Sequence, residues 1–407
     1  MIGRRLAALA AVAGLIGALA IVLPAAEPER SSQDLSLDRP PERIAARWVG
    51  ITEVPGRPTG IGFDTGRSRL WIGTKEGIVY VVSTDSRSAG PAQLALDLTG
   101  VVSTSNDQGL LNLILAPGGD ELYVLYVDHA DDLVLRGFDL GADGSPVLPG
   151  RRLLTVPMAS KYHQGGGMAW ERGGTLLLGI GDNGSSMESQ SGRSLVGKIL
   201  RIVPTPGDED PYRVPADNPF VGVVGIQPEI WAFGVRNPWR IAVDEHDQEV
   251  WIADVGDQRF EEVDEVPLDS SGADLGWPFL EGDAPGPVFE RTNLPLLKRN
   301  GDRIVANQPL LAPTLSLRHG EGTCAIIGGA PYRGAIAELR GRYVFADFCD
   351  TALRAVGSDG VAFRWEADAP LPSTVYAVEQ SPNDDLFVLL LSGEVLELEP
   401  QGVEPGS

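Results

Sequence analysis

The sequence of 407 residues predicts an all-β fold, a six-bladed β-propeller over residues 46–400, and three observations carry that prediction. Glycine and proline are abundant, at 50 and 31 copies against a usual combined share of ~12%, whereas the hydrophobic content of 43% is ordinary. No helical period persists beyond a few turns. Short apolar runs of strand character recur instead, at 70–73, 78–82, 122–127, 133–138, 175–180, 249–252, 342–345 and 386–391. Third, one phrase returns: a bend containing Asp or Gly, an apolar strand, then a Gly-Asp or similar turn. It reads "FDTGRSRLWIGTKEG", "LAPGGDELYVLYVD", "WERGGTLLLGIGDNG", "VDEHDQEVWIADVGD", a weaker "AELRGRYVFADFCD" and "SPNDDLFVLLLSGEV". Its first four copies start about 50 to 80 residues apart, the period of a unit of antiparallel strands repeated radially, which leaves only short, protected sheet edges. Six copies imply six blades. A chain of sandwiches or two barrels would account for the strands but not for the recurring phrase.

Taken in order, the chain opens on Arg4 and Arg5, followed by an uncharged, largely apolar run over 6–23 and then Pro24, Ala25 and Ala26. That is the pattern of an export signal. Cleavage after Ala26 or Ala25 would leave Pro24 or Leu23 at the third position back, a poor match to the small-residue rule, so residues 1–26 are either a cleaved signal or an N-terminal anchor. Residues 27–45 are polar, contain Pro28, Pro40 and Pro41, and read as a linker. The balance of 33 basic to 56 acidic residues, net −23, repels phosphate backbones and anionic lipid heads. Nucleic acid is thereby excluded as a partner, a membrane is reached only through the N-terminal segment, and calcium is a compatible ion. The two cysteines, Cys324 and Cys349, are expected to pair in an oxidising compartment, closing a loop of ~25 residues for roughly 3 kcal/mol; two inert buried thiols are the alternative. With four scattered histidines they are too few for a zinc site.

Propeller loops from several blades converge at one end of the central channel, so site residues should come from distant parts of the chain. In "KYHQGGGMAWERGGTLLLGIGDNG", His163 and Gln164 precede three glycines and Asp182 lies in a Gly-Asp-Asn-Gly turn. The glycines admit close approach of the backbone or positive φ, and His163 has the pKa range of a general base; a structural turn histidine is the plainer reading. His129, His246 and His319 lie in polar turns and read as solvent-exposed. In "PEIWAFGVRNPWRIAVDEHDQEVWIADVGDQRFEEVDEV", Arg236 and Asn237 interrupt strand patterns and offer a planar fork of donors to an anionic or quinonoid ligand. Asp254, Gly256, Asp257, Glu261 and Glu262 follow, suited to a hard cation or else a solvated acidic loop. Trp277, in "GADLGWPFLEGD", reads as a packing wedge.

The ordered motifs "NDQGLLNLIL", "HQGGGMAW…GIGDNG", "LVGKILRI", "DNPF", "PEIWAFGVRNPWR", "WIADVGDQRFEEVDEV", "LGWPFLEG" and "GGAPYRG…GRYVFADF" make the chain, over about 49–396, resemble the glucose/sorbosone dehydrogenase family of soluble quinoprotein sugar dehydrogenases. The resemblance implies a six-bladed propeller that holds pyrroloquinoline quinone (PQQ) and calcium at the wide end of its channel. It also implies oxidation of the hydroxyl or hemiacetal of an aldose, with the electron acceptor unknown. His163 would be the base and Arg236 would stabilise the developing oxyanion. Asp182, Arg236 and Asn237 would line the quinone, Gln108 and Gln164 would lie near the sugar, and the carbonyls of Gly256 and Asp257 would bind calcium. The sequence departs from the family in three places. Tyr162 stands before the histidine where the sugar dehydrogenases carry Asp. The segments in which they place a Lys and an Arg-x-Arg pair, to hold the quinone's carboxylates, here contain Cys349 and Asp350, and Thr374, Val375 and Tyr376. Unpaired carboxylates in a desolvated channel are costly, so Arg318, Arg333 and Arg354 are candidate replacements. Three functions therefore stand: an exported quinone-dependent sugar dehydrogenase; a non-catalytic extracellular propeller binding carbohydrate or protein, as in the hedgehog-interacting proteins that share the resemblance; and a calcium-dependent hydrolase in which calcium and a channel-mouth histidine activate water.

Overall fold

Six sheets of four or five strands follow one another along the chain and form a six-bladed β-propeller. The computed structural model describes residues 40–84, 90–288, 310–320 and 322–401; the expected targeting segment 1–26 and most of the linker lie outside these residues. Blade 1 comprises Pro58–Asp64, Arg69–Thr74, Ile78–Ser83 and Gln93–Asp97, and blade 2 Leu110–Leu115, Glu121–Val127, Asp132–Asp139 and Arg151–Pro157. Blade 3 is built on Gly165–Glu171, Thr175–Ile180, Lys198–Pro204 and Ile230–Phe233, and blade 4 on Pro238–Asp244, Glu249–Asp254, Phe260–Pro267 and Leu315–Arg318. Ile326–Tyr332, Arg342–Asp347, Leu353–Val356 and Ala362–Glu366 form blade 5, and Val375–Gln380, Leu386–Leu390 and Glu394–Pro400 begin blade 6.

The fourth strand of blade 6 comes from the other end of the chain. Ala46–Glu53 pairs antiparallel with Glu394–Pro400, Ala46 opposite Pro400 and Glu53 opposite Glu394, so the two ends of the propeller sequence share one sheet. Just before it, Glu42 and Arg43 pair in parallel with Trp365 and Glu366 on the outer edge of blade 5, and Ile44 is buried. The last residues of the stretch read as linker are thus part of the fold.

Each copy of the repeated phrase is the first turn, the second strand and the start of the second turn of one blade. Second strands are flanked by neighbouring blades on both faces, which is why they are continuous apolar runs rather than alternating ones. The core is accordingly divided into six apolar clusters, one at each interface between consecutive blades. Aromatic pairs cross these interfaces: Trp251 of blade 4 stacks on Tyr343 of blade 5 at 5.0 Å, and Tyr123 of blade 2 meets the edge of Trp170 of blade 3 at 5.5 Å.

First strands of successive blades are neighbours around the channel. Crowding there selects small residues: a Cβ on Gly60 would lie 2.6 Å from Oδ1 of Asn112 on the next blade, and Asn112 Nδ2 donates to Gly166 O, a blade further on, at 2.9 Å. Across the channel, Arg240 of blade 4 is buried, donates to the carbonyl of Thr59 on blade 1 and lies 3.2 Å from Glu379 of blade 6. Antiparallel order puts the loops entering each first strand, and the turns between second and third strands, at one mouth of the channel, called upper below. The first turns lie at the lower mouth, where a cavity of about 1350 Å³ is lined by Asp64, Arg67, Asp244, His246, Arg333 and Glu379.

Candidate functional site

At the upper mouth the backbone of His163 has φ +55°, the left-handed region that a side chain with a Cβ adopts only when its surroundings enforce it. Three contacts do so. Its N–H donates to Asp107 of the loop entering blade 2 at 2.9 Å, its carbonyl accepts from Asn183 N at 3.2 Å, and Asn183 Oδ1 in turn accepts from Ser160 N at 2.9 Å. The glycines are needed here: a Cβ on Gly181 would sit 2.0 Å from the carbonyl oxygen of His163. The imidazole Nδ1 is 2.7 Å from Asp182 Oδ1. Asp182 is almost fully buried; Oδ1 also accepts from Gly184 N at 2.8 Å, and Oδ2 accepts the indole N–H of Trp277 at 2.8 Å.

Arg236 closes the arrangement. Its guanidinium lies over the Trp277 ring at 5.6 Å and donates to Val255 O at 2.9 Å and to Asp257 at 3.3 Å, while its carbonyl accepts from Asp182 N at 2.7 Å. Asp254 fixes this turn by accepting Arg236 N at 2.8 Å and Asn237 N at 2.6 Å; burial pushes the Asp254 carboxyl up to about 7, against the pull of these donors. Asn237 uses its own Oδ1 on Gly165 N at 2.9 Å, clamping the glycine run. Residues from blades 2, 3 and 4, including the excursion between the third and fourth strands of blade 4, thus meet around one imidazole. Trp277, expected only to pack, also hydrogen-bonds Asp182 and carries Arg236.

Other expected residues are placed differently. Gln108 and Gln164 are both fully buried; Gln108 bridges Ser103 and Asp131 at 2.7 Å each, and Gln164 donates to the carbonyls of Ser160 and Tyr162 at 2.9 and 3.0 Å. Both carboxamides bind loop in the protein, and Gln164 Oε1 is left without a partner. The acidic stretch is not a solvated loop, because its carboxylates gather backbone amides. Glu261 accepts Gly256 N and Ile326 N, and Glu281 accepts the amides of Asp257, Gln258 and Arg259 at 3.1, 2.7 and 2.7 Å. The turn that would present the Gly256 and Asp257 carbonyls is therefore rigidly held. His129 and His246 are exposed, but His319 is half-buried and 2.5 Å from Glu261, whose hydrogen bond raises its pKa.

The replacement cations do not converge. Arg354 is wholly buried against Asp347 at 3.2 Å and Asp350 at 3.5 Å, Arg333 pairs with Asp244 and Asp247 at the lower mouth, and Arg318 stacks on Phe260 at 5.3 Å. Asp350 also takes Arg364 at 2.7 Å. Tyr376 meets the edges of Trp239 and Phe348 at 6.1 and 6.4 Å, so an aromatic group stands where the family's guanidinium pair was expected. The Cys324–Cys349 disulfide is formed, with Cα atoms 5.8 Å apart, and Asp347 accepts both cysteine amides.

Residues 57–390 match the glucose/sorbosone dehydrogenase family. The chain belongs to it. Among relatives, HIPL2 protein of Arabidopsis thaliana is 30% identical over 288 residues, 60% of this chain and 40% of its own length. Hedgehog-interacting protein of Mus musculus is 26% identical over 69% of this chain and 39% of its length. The matched stretch thus spans less than half of either relative. The PQQ-bound aldose sugar dehydrogenase from Streptomyces coelicolor superposes with a TM-score of 0.66 at 20% identity, covering 89% of this chain and 99% of that one, a likeness of fold. Within the family frame, Asp107, Trp277 and Glu281 are the residues the sequence did not single out for the site. None lies in a motif with His163; only the meeting of loops in space joins them to it.

Proposed function

We propose that the upper mouth oxidises a hydroxyl of an aldose sugar, with His163 as general base. The His163–Asp182 contact carries this reading. Asp182 holds Nδ1 and thereby selects the tautomer whose Nε2 lone pair is free to accept the sugar's hydroxyl proton. Asp182 is itself oriented by Trp277, so the imidazole is fixed from behind by two buried partners. Arg236, held between Val255, Asp257 and the Trp277 face, places positive charge where the alkoxide develops.

Oxidation needs an electron acceptor, and family membership points to a quinone. The donor set suits such an acceptor-rich planar group, since Arg236 Nε and Trp239 Nε1 are buried without a partner in the protein. Arg236 and Trp239 would hold it, and the carbonyls of Gly256 and Asp257 would hold calcium. When bound, PQQ supplies a two-electron sink. Export to an oxidising compartment agrees with the disulfide. Among the described residues no helix is long and apolar enough to cross a membrane.

The second reading, a propeller that binds carbohydrate or protein without turnover, is favoured by one observation: Arg354 and Arg364 are closed off by Asp347 and Asp350, and an aromatic stands at Tyr376. Reconstitution with PQQ and calcium, followed by dye reduction across a panel of aldoses, separates the two. Turnover that His163→Ala abolishes supports the dehydrogenase; binding of sugar with no dye reduction supports the module.

A further inference from the structure

Lys75 lies in the turn after the second strand of blade 1, at the upper mouth, and only 9% of it is exposed. Its Nζ donates to the carbonyl of Asn106, in the loop entering blade 2. The next residue, Asp107, accepts the N–H of His163 at 2.9 Å. The lysine ammonium and the backbone of His163 are therefore held by consecutive residues of one loop. An ammonium has three donors, of which one is used, and no carboxylate among the described residues pairs with it. Glu76, its neighbour in sequence, is engaged with Arg57 at 2.9 Å, and Arg57 O accepts Lys75 N at 2.8 Å. Burial, and after it the charge of Arg57, holds the Lys75 pKa below its usual value, against the attraction of Asp107 and Glu76.

A buried cation that Asp107 and Glu76 attract without forming an ion pair keeps part of its desolvation cost in the unliganded protein, and an arriving anion would offset it. Arg333 and Arg354, candidates for this role, are committed to carboxylates of the protein, whereas Lys75 makes one hydrogen bond, to a carbonyl. We propose that Lys75 is the carboxylate anchor of the upper mouth, so that blade 1 supplies the positive charge that blades 5 and 6 withhold. The ligand is a carboxylate, either that of the quinone or that of an acidic sugar such as a uronic acid. The proposal rests on reading this mouth as a ligand site, not on which of the two ligands fills it.

The test is fluorescence titration of the full chain and its Lys75→Met variant, in calcium buffer, with PQQ, with galacturonate and with neutral galactose, alongside thermal melting without ligand. Lys75→Met should bind at least one of the two carboxylates roughly tenfold or more weakly, as for loss of one charge-assisted hydrogen bond. Galactose binding should be unaffected, and the unliganded variant should melt at the same or a higher temperature, because a desolvated charge has been removed. Lys75→Arg should recover most of the affinity. Should Lys75→Met not fold, Lys75→Gln keeps a donor for the Asn106 carbonyl and gives the same comparison. Unchanged affinity for both carboxylates, with or without a lower melting temperature, overturns the proposal, as does failure of the wild type to bind either. Galacturonate held through Lys75 with no uptake of PQQ leaves the anchor standing and removes the quinone reading; PQQ bound equally by both proteins, with galacturonate affinity also unchanged, does the reverse.

Discussion

Asp182 commits both carboxylate oxygens to the site, one to His163 and Gly184, the other to Trp277. Asp182→Asn would offer an amide where two acceptors are needed and so misdirect the imidazole. Turnover should fall by roughly 10²- to 10⁴-fold while ligand affinity changes little; steady-state kinetics beside a binding titration checks this split. A second residue-scale expectation concerns the channel pair. Burial raises the Glu379 carboxyl from 4.5 to about 7, against the attraction of Arg240. The folded state then holds this proton more tightly than the unfolded chain, so the group's contribution to stability is complete below pH 4.5 and falls as pH rises towards 7. Glu379→Gln should flatten that slope in melting curves. Above about pH 7, where the carboxyl is ionised, it should also destabilise by about 3 kcal/mol, because Arg240 is left buried without its counter-ion; below it a neutral amide replaces a neutral acid and the cost should be small. His163, Asp182, Arg236 and Asn237 were legible in the sequence because each sits in a turn marked by Gly, Asn or Pro. Asp107, Glu281 and Lys75 were not, since their partners lie on other loops, and the motifs around Gln108 and Gln164 give no direction to their side chains.

Among the elements, second strands were the most legible. Burial on both faces makes each a continuous apolar run, as in Glu121–Val127 and Thr175–Ile180, bounded by turn residues. Outer strands carry a weaker signal. Gln93–Asp97 is mostly exposed, and nothing local in Ala46–Glu53 tells that it pairs with the far end of the chain. The disulfide ties the loop entering blade 5 to that blade's second turn, next to the carboxylate of Asp347. Replacing Cys324 and Cys349 together by Ala should lower the free energy of unfolding by roughly 3 kcal/mol in the chain-entropy account. A urea titration would show it as an earlier midpoint; an unmoved midpoint would mean that Asp347 and its amides hold the turn unaided.

At the scale of the molecule, six apolar wedges depend on a closed ring, and closure depends on eight residues, Ala46–Glu53. Deleting the chain before Val54 should expose the edge of Glu394–Pro400, broaden the calorimetric transition and promote association through that edge. The ring is also what brings distant motifs to one mouth, and the central claim is that this mouth binds a quinone with calcium and oxidises an aldose. Calorimetric titration of the full chain with PQQ in calcium buffer, extended to dye reduction by aldoses and repeated with His163→Ala, tests it most directly. The account predicts calcium-dependent binding tighter than ~100 μM, about 5.5 kcal/mol, in both proteins, with sugar-dependent dye reduction only in the wild type. No heat and no spectral change at that concentration, or equal turnover by His163→Ala, would contradict it.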